Sequence, residues 1–402
     1  MDAENRALLS AVFADFILVS AENKSHNLRV NCGDMMYVWE HKNWPNLICD
    51  SGQLAVLLAR VSHEQGRLLG KMENLGFDLR REAQLSTLTE DVVRSSEIEG
   101  EKLDVGQVRS SIARRLGMDV GGLAPVDRDV EGVVEMTLDA TTNYAQPLTT
   151  ERLFDWHAAL FPTGRSGMHK ITVGKWRDDG DGPMQVVSGP IGRQKLHYEA
   201  PPARRIPNEM RRFLKWFGGP GDADPLLVAG LAHLWFVTIH PFDDGNGRIA
   251  RAIADMALAR SERSGQRFYS MSAQLRRERA NYYTTLERTQ KGALDITPWQ
   301  EWFLSCLGRA IENSQDTLRA VLQKAHFWER YAQQSLNARQ INVLNRLFDG
   351  FEGKLTTSKW AKLTKCSQDT AYRDIIDLVE RGALRKDTAG GRSTSYSLAT
   401  EN

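Results

Sequence analysis

The chain has 402 residues, enough for two or three domains, and 41% of them are apolar, enough to fill buried cores. Its 52 Lys and Arg against 51 Asp and Glu leave a formal charge of +1, which excludes a global field that recruits nucleic acid or acidic membrane; any such partner has to be held locally. Cys32, Cys49, Cys306 and Cys366 are scattered without Cys-x-x-Cys spacing, which argues against a zinc cluster and a disulfide framework and for a reducing, cytoplasmic setting.

Residues 1–35 differ in texture from the rest of the chain. Their apolar run, Ala11 to Ser20, is short, carries Asp15 and comes after an acidic leader, so it makes a poor signal peptide and no membrane span. Met35 and Met36 directly precede a denser aromatic segment, which leads to the expectation of a natural start at one of them. From Leu54 to about Leu103, Leu57, Leu58, Val61, Leu68, Leu69 and Met72 recur at the three-and-four period of amphipathic helices, which predicts a helical unit over 36–125. A second helical block from Asp127 to Leu160 opens a core expected over 126–326. Between Ile171 and Pro202, glycines and prolines punctuate short β-prone runs, which predicts a loop and a β-hairpin. Helices resume from Pro207 through Ala325, with breaks at 240–251 and 295–298. At the second break Thr297 and Pro298 suit an N-cap and first position. Phe327 to Gln340 reads as a connector to a compact unit over 338–402.

The break at 240–251 reads H-P-F-D-D-G-N-G-R-I-A-R. Gly245-Asn246-Gly247 ahead of a helix present unpaired backbone N–H groups, to which the helix dipole adds partial positive charge. Arg248 and Arg251 lie three apart at the start of that helix and reach one polyphosphate from the same side. Asp244 suits Mg²⁺ bridging phosphate oxygens, and His240 suits proton abstraction from an incoming hydroxyl. An isolated Gly-Asn-Gly is more often a plain helix-capping turn. Seven specified positions falling together between two helices favour a phosphoryl- or nucleotidyl-transfer site.

The stretch matches the signature H-x-F-x-[D/E]-G-N-G-R-x-x-R at every specified position, and the chain thereby resembles the Fic-domain adenylyltransferases. The resemblance implies transfer of AMP from ATP, with Mg²⁺, to a Tyr, Thr or Ser hydroxyl of a protein target or of the chain itself, with release of pyrophosphate. It makes His240 the general base, Phe242 a core anchor, Asp244 the metal ligand, and Gly245, Asn246, Gly247, Arg248 and Arg251 the phosphate binders. The hairpin around Val186 to His197 then stands where the family carries a flap that holds a target by strand addition, through Val186, Val187, Ser188, Gly189 and Ile191. Tyr283, Leu286 and Gln290, on one helical face, fall where the family walls its adenosine pocket, although such a stripe is also what plain core looks like.

R-S-S-E-I-E-G-E over residues 94–101 matches the family's inhibitory pattern [S/T]-x-x-x-E-[G/N] through Ser95, Glu99 and Gly100. The resemblance implies a brake in which Glu99 forms a bidentate pair with Arg251 and fills the space of the γ-phosphate. The implied fold is mainly α: a Fic helical core with a β-hairpin flap, an N-terminal helical domain and a C-terminal winged helix-turn-helix. In that last unit the second helix, Gln368 to Arg381, carries Thr370, Tyr372 and Arg373 toward its start, with Arg392 on the wing. Its 11 Lys and Arg against 8 Asp and Glu over 338–402 are thin for DNA binding, so DNA and protein partners both stay open. A homodimer that relieves the brake, a related Fic reaction such as phosphotransfer or deAMPylation, and a nucleotide-sensing DNA-binding regulator are the alternatives.

Overall fold

The computed structural model describes residues 36–118, 125–180, 182–189, 193–331, 334–348, 351, 353–387 and 394–399; the extension 1–35, Ile191 and Arg392 lie outside them. Fourteen α-helices and three two-stranded antiparallel ribbons make up the described chain. In order these are α1 Ser51–Glu73, α2 Phe77–Ile98, α3 Val105–Arg115, α4 Arg128–Thr142, α5 Thr150–Leu160, β1 Arg165–Ser166, β2 His169–Lys170, β3 Gln185–Ser188, β4 Lys195–Glu199, α6 Ile206–Gly218, α7 Pro225–Ile239, α8 Asn246–Glu262, α9 Met271–Arg277, α10 Arg279–Gln290, α11 Thr297–Tyr331, α12 Ala338–Phe348, α13 Thr357–Thr364, α14 Gln368–Glu380, β5 Leu384–Lys386 and β6 Tyr396–Leu398. Among the described residues no helix is long and apolar enough to cross a membrane.

The sequence of α7, P-L-L-V-A-G-L-A-H-L-W-F-V-T-I, is apolar around its whole circumference, which is the mark of a helix buried on every side. Asp224 caps it by accepting the Leu226 N–H at 2.8 Å, with Pro225 at its first position. It packs along α8, and α4, α5, α6 and α11 enclose the pair. The segment before α1 is fastened across this core. Trp39 Nε1 donates to the Glu199 carbonyl at 2.8 Å, Trp44 Nε1 donates to Glu209 at 3.0 Å, and Ile48 bridges the 294–296 backbone.

Two sequence expectations change. Thr297 is not the cap of α11: the Asp295 carboxylate accepts its N–H at 2.9 Å and its hydroxyl at 2.6 Å, so the acid two residues upstream does the capping. The expected connector from Phe327 is instead the end of α11. Phe327 and Tyr331 are buried with Val343, Leu344, Leu355, Trp360, Ile375 and Leu378 in a second core, so the helix runs on because its last turns have apolar partners to cover. That C-terminal unit comprises α12, α13, α14 and the β5–β6 ribbon, with Leu355 bridged to Tyr396. Arg339 clamps the Asp374 carboxylate through Nε at 2.7 Å and Nη2 at 3.0 Å. Tyr372 and Arg373 are exposed on α14, whereas Thr370 is half-buried against Ser367.

The seam between α4 and α5 closes over Gly132, where an added Cβ would stand 1.8 Å from the Ala159 carbonyl oxygen. Gly132→Ala is therefore expected to destabilise the protein by about 1–3 kcal/mol, the usual scale of core overpacking. Gly66→Ala, at an exposed position in α1 with nothing within 4 Å, is expected to stabilise it by about 0.5–1 kcal/mol. Thermal midpoints of the two variants should move in opposite directions.

Candidate active site

Between α7 and α8 the chain turns through a loop held from within. His240 ends α7 at φ 51°, in the left-handed region that a non-glycine residue rarely adopts. Its carbonyl accepts Arg177 Nε at 2.8 Å, and Arg177 Nη2 in turn donates to the Pro201 carbonyl at 2.6 Å. Phe242 is fully buried, stacked on the His157 ring at 4.2 Å. The Asn246 side chain accepts the Phe242 N–H at 3.0 Å and donates to the Phe242 carbonyl at 2.8 Å, closing the loop on itself. Gly245 sits at φ 79° with Phe161 only 2.9 Å from where a Cβ would be, so both conformation and space demand glycine there.

The loop aims His240 at a cavity. Its Nδ1 lies 3.2 Å from the Val237 carbonyl, and a carbonyl only accepts, so Nδ1 carries the proton and Nε2 keeps its lone pair. That Nε2 is buried without a protein partner. Burial, and then the nearby Arg177, push the His240 pKa down to about 4, which keeps the ring neutral at pH 7. A neutral imidazole with an open lone pair is in the state a general base requires.

At the other end of the cavity, α8 begins with Asn246 and points its free N–H groups outward. Arg248 and Arg251 are both buried, and Arg248 Nε and Arg251 Nη1 have no partner. Unpaired guanidinium N–H groups at a helix N-terminus suit an anion. The rest of each guanidinium is taken by the segment that ends α2. Arg251 Nη2 pairs with Glu99 Oε1 at 2.8 Å, while its Nε donates to Ser95 Oγ at 2.9 Å and Nη2 to the Ser95 carbonyl at 3.0 Å. The expected two-point Glu99 clamp is thus a one-point contact: Glu99 meets only Nη2, which it shares with the Ser95 carbonyl, and Nη1 stays unpaired. Glu99 also lies directly over the glycine turn, with Oε1 2.2 Å from where a Gly247 Cβ would stand. Gly100 comes next at φ 86° and lets the chain leave the helix.

Asp244 borders the same cavity. Its Oδ1 accepts the Gly245 N–H at 2.5 Å, and Ser166 Oγ donates to its Oδ2. A carboxylate has about four acceptor positions, so those two bonds leave room for a cation. Among the described residues no cluster of three or more His, Cys, Asp or Glu forms a metal cage. A single carboxylate suits Mg²⁺, which takes its remaining ligands from phosphate and water.

The cavity has a volume of about 450 Å³. It runs from Glu99, Gly247 and Arg248 past His240 to Tyr283, Leu286 and Gln290 on α10, bringing two of the expected phosphate residues and the three expected adenosine residues onto one space; Gly245, Asn246 and Arg251 are not among its lining residues. The β3–β4 hairpin crosses its mouth with Val186 and Val187. Ser188 closes β3 and Gly189 comes after it at φ 98°; Ile191 lies outside the described residues.

Several residues here carried no local signal. Glu101 pairs with Arg248 at 2.5 Å, so each arginine has its own carboxylate. His157 accepts the Gly174 N–H on Nδ1 and donates from Nε2 to the Asp244 carbonyl, both at 3.2 Å. Ser166, Arg177 and His197 are likewise distant in sequence from what they touch. Only the proximity of Glu101 to the 95–100 pattern offered a hint.

Residues 147–258 match the Fic/DOC family. The chain carries a Fic/DOC domain. Residues 37–118 match a second family, described as a domain of unknown function (DUF4172). The protein adenylyltransferase Fic of Drosophila sechellia is 22% identical over 243 residues, 58% of this chain and 43% of that protein. Its Drosophila ananassae counterpart is 30% identical over 105 residues, 26% of this chain and 20% of that protein. The chain thus spans less than half the length of these curated relatives. A Fic family protein from Desulfovibrio desulfuricans shares the fold, at a TM-score of 0.50 and 22% identity, over 87% of this chain and 96% of that one.

Three buried histidines set a pH limit on the Fic core. Burial, as the largest cause for each, pushes His157 and His240 down to about 4 and His233 to about 3. The unfolded chain takes up these protons near pH 6.5 and the folded one only near 4 or below, so protonation favours unfolding. Their contribution is complete above pH 6.5 and is lost as the pH falls toward 4. Urea midpoints measured at pH 7.5 and 4.5 should drop at the lower pH, and His157→Gln should flatten the dependence.

Proposed function

We propose that the chain is an autoinhibited protein adenylyltransferase that moves AMP from ATP to the hydroxyl of a protein target. The observation that carries this reading is the neutral His240, with Nε2 open to the cavity, facing a helix N-terminus and two arginines that each retain an unpaired N–H. The relatives named as adenylyltransferases support the choice of adenylyl over other groups.

In this mechanism the adenosine lies along Tyr283, Leu286 and Gln290, and the phosphates lie over Gly245 to Gly247, held by Arg248 and Arg251. The target backbone is held at the β3–β4 hairpin by strand addition, which tolerates varied sequence. His240 Nε2 takes the proton of the acceptor hydroxyl as its oxygen bonds to the α-phosphorus, and the bond to the β-phosphate bridging oxygen breaks with departure of pyrophosphate. Asp244 would hold Mg²⁺, which when bound neutralises charge on the phosphates. Arg177 positions the base, since its bond to the His240 carbonyl fixes the left-handed turn.

Glu99 supplies the inhibition. Its carboxylate lies over the Gly247 turn and against Arg251, in the space a terminal phosphate needs, and like charges at that distance repel. ATP entering beside it is held with its α-phosphorus out of line for attack. Glu101 adds to this by occupying Arg248.

Labelling with α-phosphate-labelled ATP and Mg²⁺, with a cell lysate as acceptor, tests the assignment. Glu99→Gly should raise label on lysate proteins at least about tenfold, the effect of freeing one charged contact worth ~1.4 kcal/mol or more. Adding Glu101→Gln should raise it further. Glu99→Gly with His240→Ala should lose about 10²–10⁴ of the gain, the usual worth of a general base. Unlabelled lysate proteins with a Glu99→Gly chain that still binds ATP would sink the assignment.

A further inference from the structure

The β3–β4 hairpin carries an irregularity at the cavity mouth. Val186 pairs with Tyr198 and Val187 with Leu196, which leaves His197 as the extra residue of a bulge. A bulge re-aims the side chain it displaces. Here the His197 ring enters the cavity lining, with Nε2 2.6 Å from Ser188 Oγ and Nδ1 2.6 Å from Glu287 Oε2. Glu287 lies on α10, one turn from Tyr283, and Lys291 donates to its other oxygen at 2.6 Å.

The donor assignment comes from the carboxylate. Burial works against the charge on Glu287, but the hydrogen bonds from Lys291 and His197 outweigh it and hold the carboxyl below its ordinary range. An ionised Glu287 only accepts, so His197 Nδ1 carries the proton and Nε2 accepts the Ser188 hydroxyl hydrogen. Hydroxyl, imidazole and orienting carboxylate in that order, each within hydrogen-bond reach of the next, are the geometry of an activated nucleophile.

We infer that Ser188, His197 and Glu287 form a second reactive centre at the cavity mouth, in which Ser188 is itself an acceptor of the adenylyl group of a nucleoside triphosphate. It rests on reading the cavity as the nucleotide site. Charge sets the class of electrophile. Lys195, the cross-strand partner of Ser188, borders the cavity beside His197, and Arg248 with its unpaired Nε borders it further in, so an anionic phosphoanhydride suits the site. Gly189 holds the turn behind the nucleophile, with 3.1 Å between the position of a Cβ and the Arg193 carbonyl oxygen. In the reaction Ser188 Oγ bonds to the α-phosphorus, the bond from that phosphorus to the bridging oxygen breaks, and pyrophosphate leaves with the electron pair. The hydroxyl proton passes to His197 Nε2, and the imidazolium is held against Glu287. Because His197 is a base separate from His240, this self-modification does not need His240.

Two measurements on the full chain test it. A fluorophosphonate probe, which reports activated serines without any nucleotide, should label the Ser188 peptide by mass spectrometry. Labelling should vanish in Ser188→Ala and slow about 10²-fold or more in His197→Gln, whose amide keeps a hydrogen bond to Ser188 but is no base. With Mg²⁺ and ATP, Glu99→Gly should carry AMP on Ser188, and this adduct should persist in Glu99→Gly with His240→Ala and disappear in Glu99→Gly with His197→Gln. A Ser188 inert to the probe, or one that stays unmodified while lysate proteins are adenylylated, overturns the inference and leaves the proposed function standing. Probe labelling of Ser188 with no ATP-derived label on any protein overturns the adenylyl assignment together with the nucleotide reading.

Discussion

Everything at the cavity hangs on two hydrogen bonds between Asn246 and the backbone of Phe242. They close a five-residue ring, Phe242 to Asn246, just after the left-handed turn of His240; in it Phe242 plunges into the core, Gly245 packs against Phe161 and Asp244 borders the cavity. A loop carrying a histidine, two acids and two arginines into a nearly dry interior has no stability of its own. Its buried polar backbone has to be bonded, because each unpaired group costs on the order of 1–3 kcal/mol. Arg177, His157 and Thr172 supply those bonds from outside the loop, to the His240 carbonyl, the Asp244 carbonyl and the Asp243 carboxylate. Of the groups left unbonded, His240 Nε2 and Arg248 Nε belong to residues that line the cavity, and Arg251 Nη1 lies beside Gly247 at its edge. Polar satisfaction is therefore complete around the loop and withheld where a ligand's own oxygens fit.

A second constraint runs along the seam between α2 and α8. Asp91 and Ser95 on α2 and Glu99 at its C-cap are spaced four apart, as are Arg251 and Asp255 on α8, so each helix turns one polar stripe to the other. Beyond Arg251 the stripe continues into a closed network. Arg267 pairs with Asp255 at 2.8 Å, and Asp91 accepts Ser270 Oγ at 2.5 Å and the Ser272 N–H at 3.1 Å. Burial and the neighbouring Asp91 raise the Asp255 carboxyl, despite Arg267. A buried network of this kind adds little net stability compared with apolar packing, but it allows only one register between the helices. The register it enforces is the one that sets Glu99 over Gly247.

What was legible in the sequence was whatever lies close along the chain. The 240–251 loop is its own signature because its chemistry and its bracing share twelve consecutive residues. Glu99 was readable through Ser95 and Gly100, the one a partner for the same arginine and the other the exit from the helix. Tyr283, Leu286 and Gln290 were placed by the family resemblance, with helical spacing showing only that they share one face. Glu101, His157, Ser166, Arg177 and His197 were not legible, since each matters through a contact made from 9 to 147 residues away and no periodicity encodes such a meeting. The bidentate form expected of the Glu99 clamp is not met: Glu99 shares Nη2 with the Ser95 carbonyl while Nη1 stays unpaired, a detail of side-chain geometry that spacing does not reveal. The end of α11 was misplaced for a related reason: Phe327 and Tyr331 look like a break only until their apolar partners on α12 and α14 are known.

That uninterrupted α11 gives the molecule a lever. Thirty-five residues at about 1.5 Å each make a rod on the order of 50 Å long. One end is fixed in the Fic core, where Trp299 donates to the Gly230 carbonyl of α7, and the other is fixed among Val343, Trp360 and Ile375. Between them Lys324 grips Glu82 on α2 at 2.9 Å, seventeen residues ahead of Glu99, which caps the C-terminus of that helix. The rod thus ties the C-terminal core directly to α2, the helix that leads into Glu99 at the cavity.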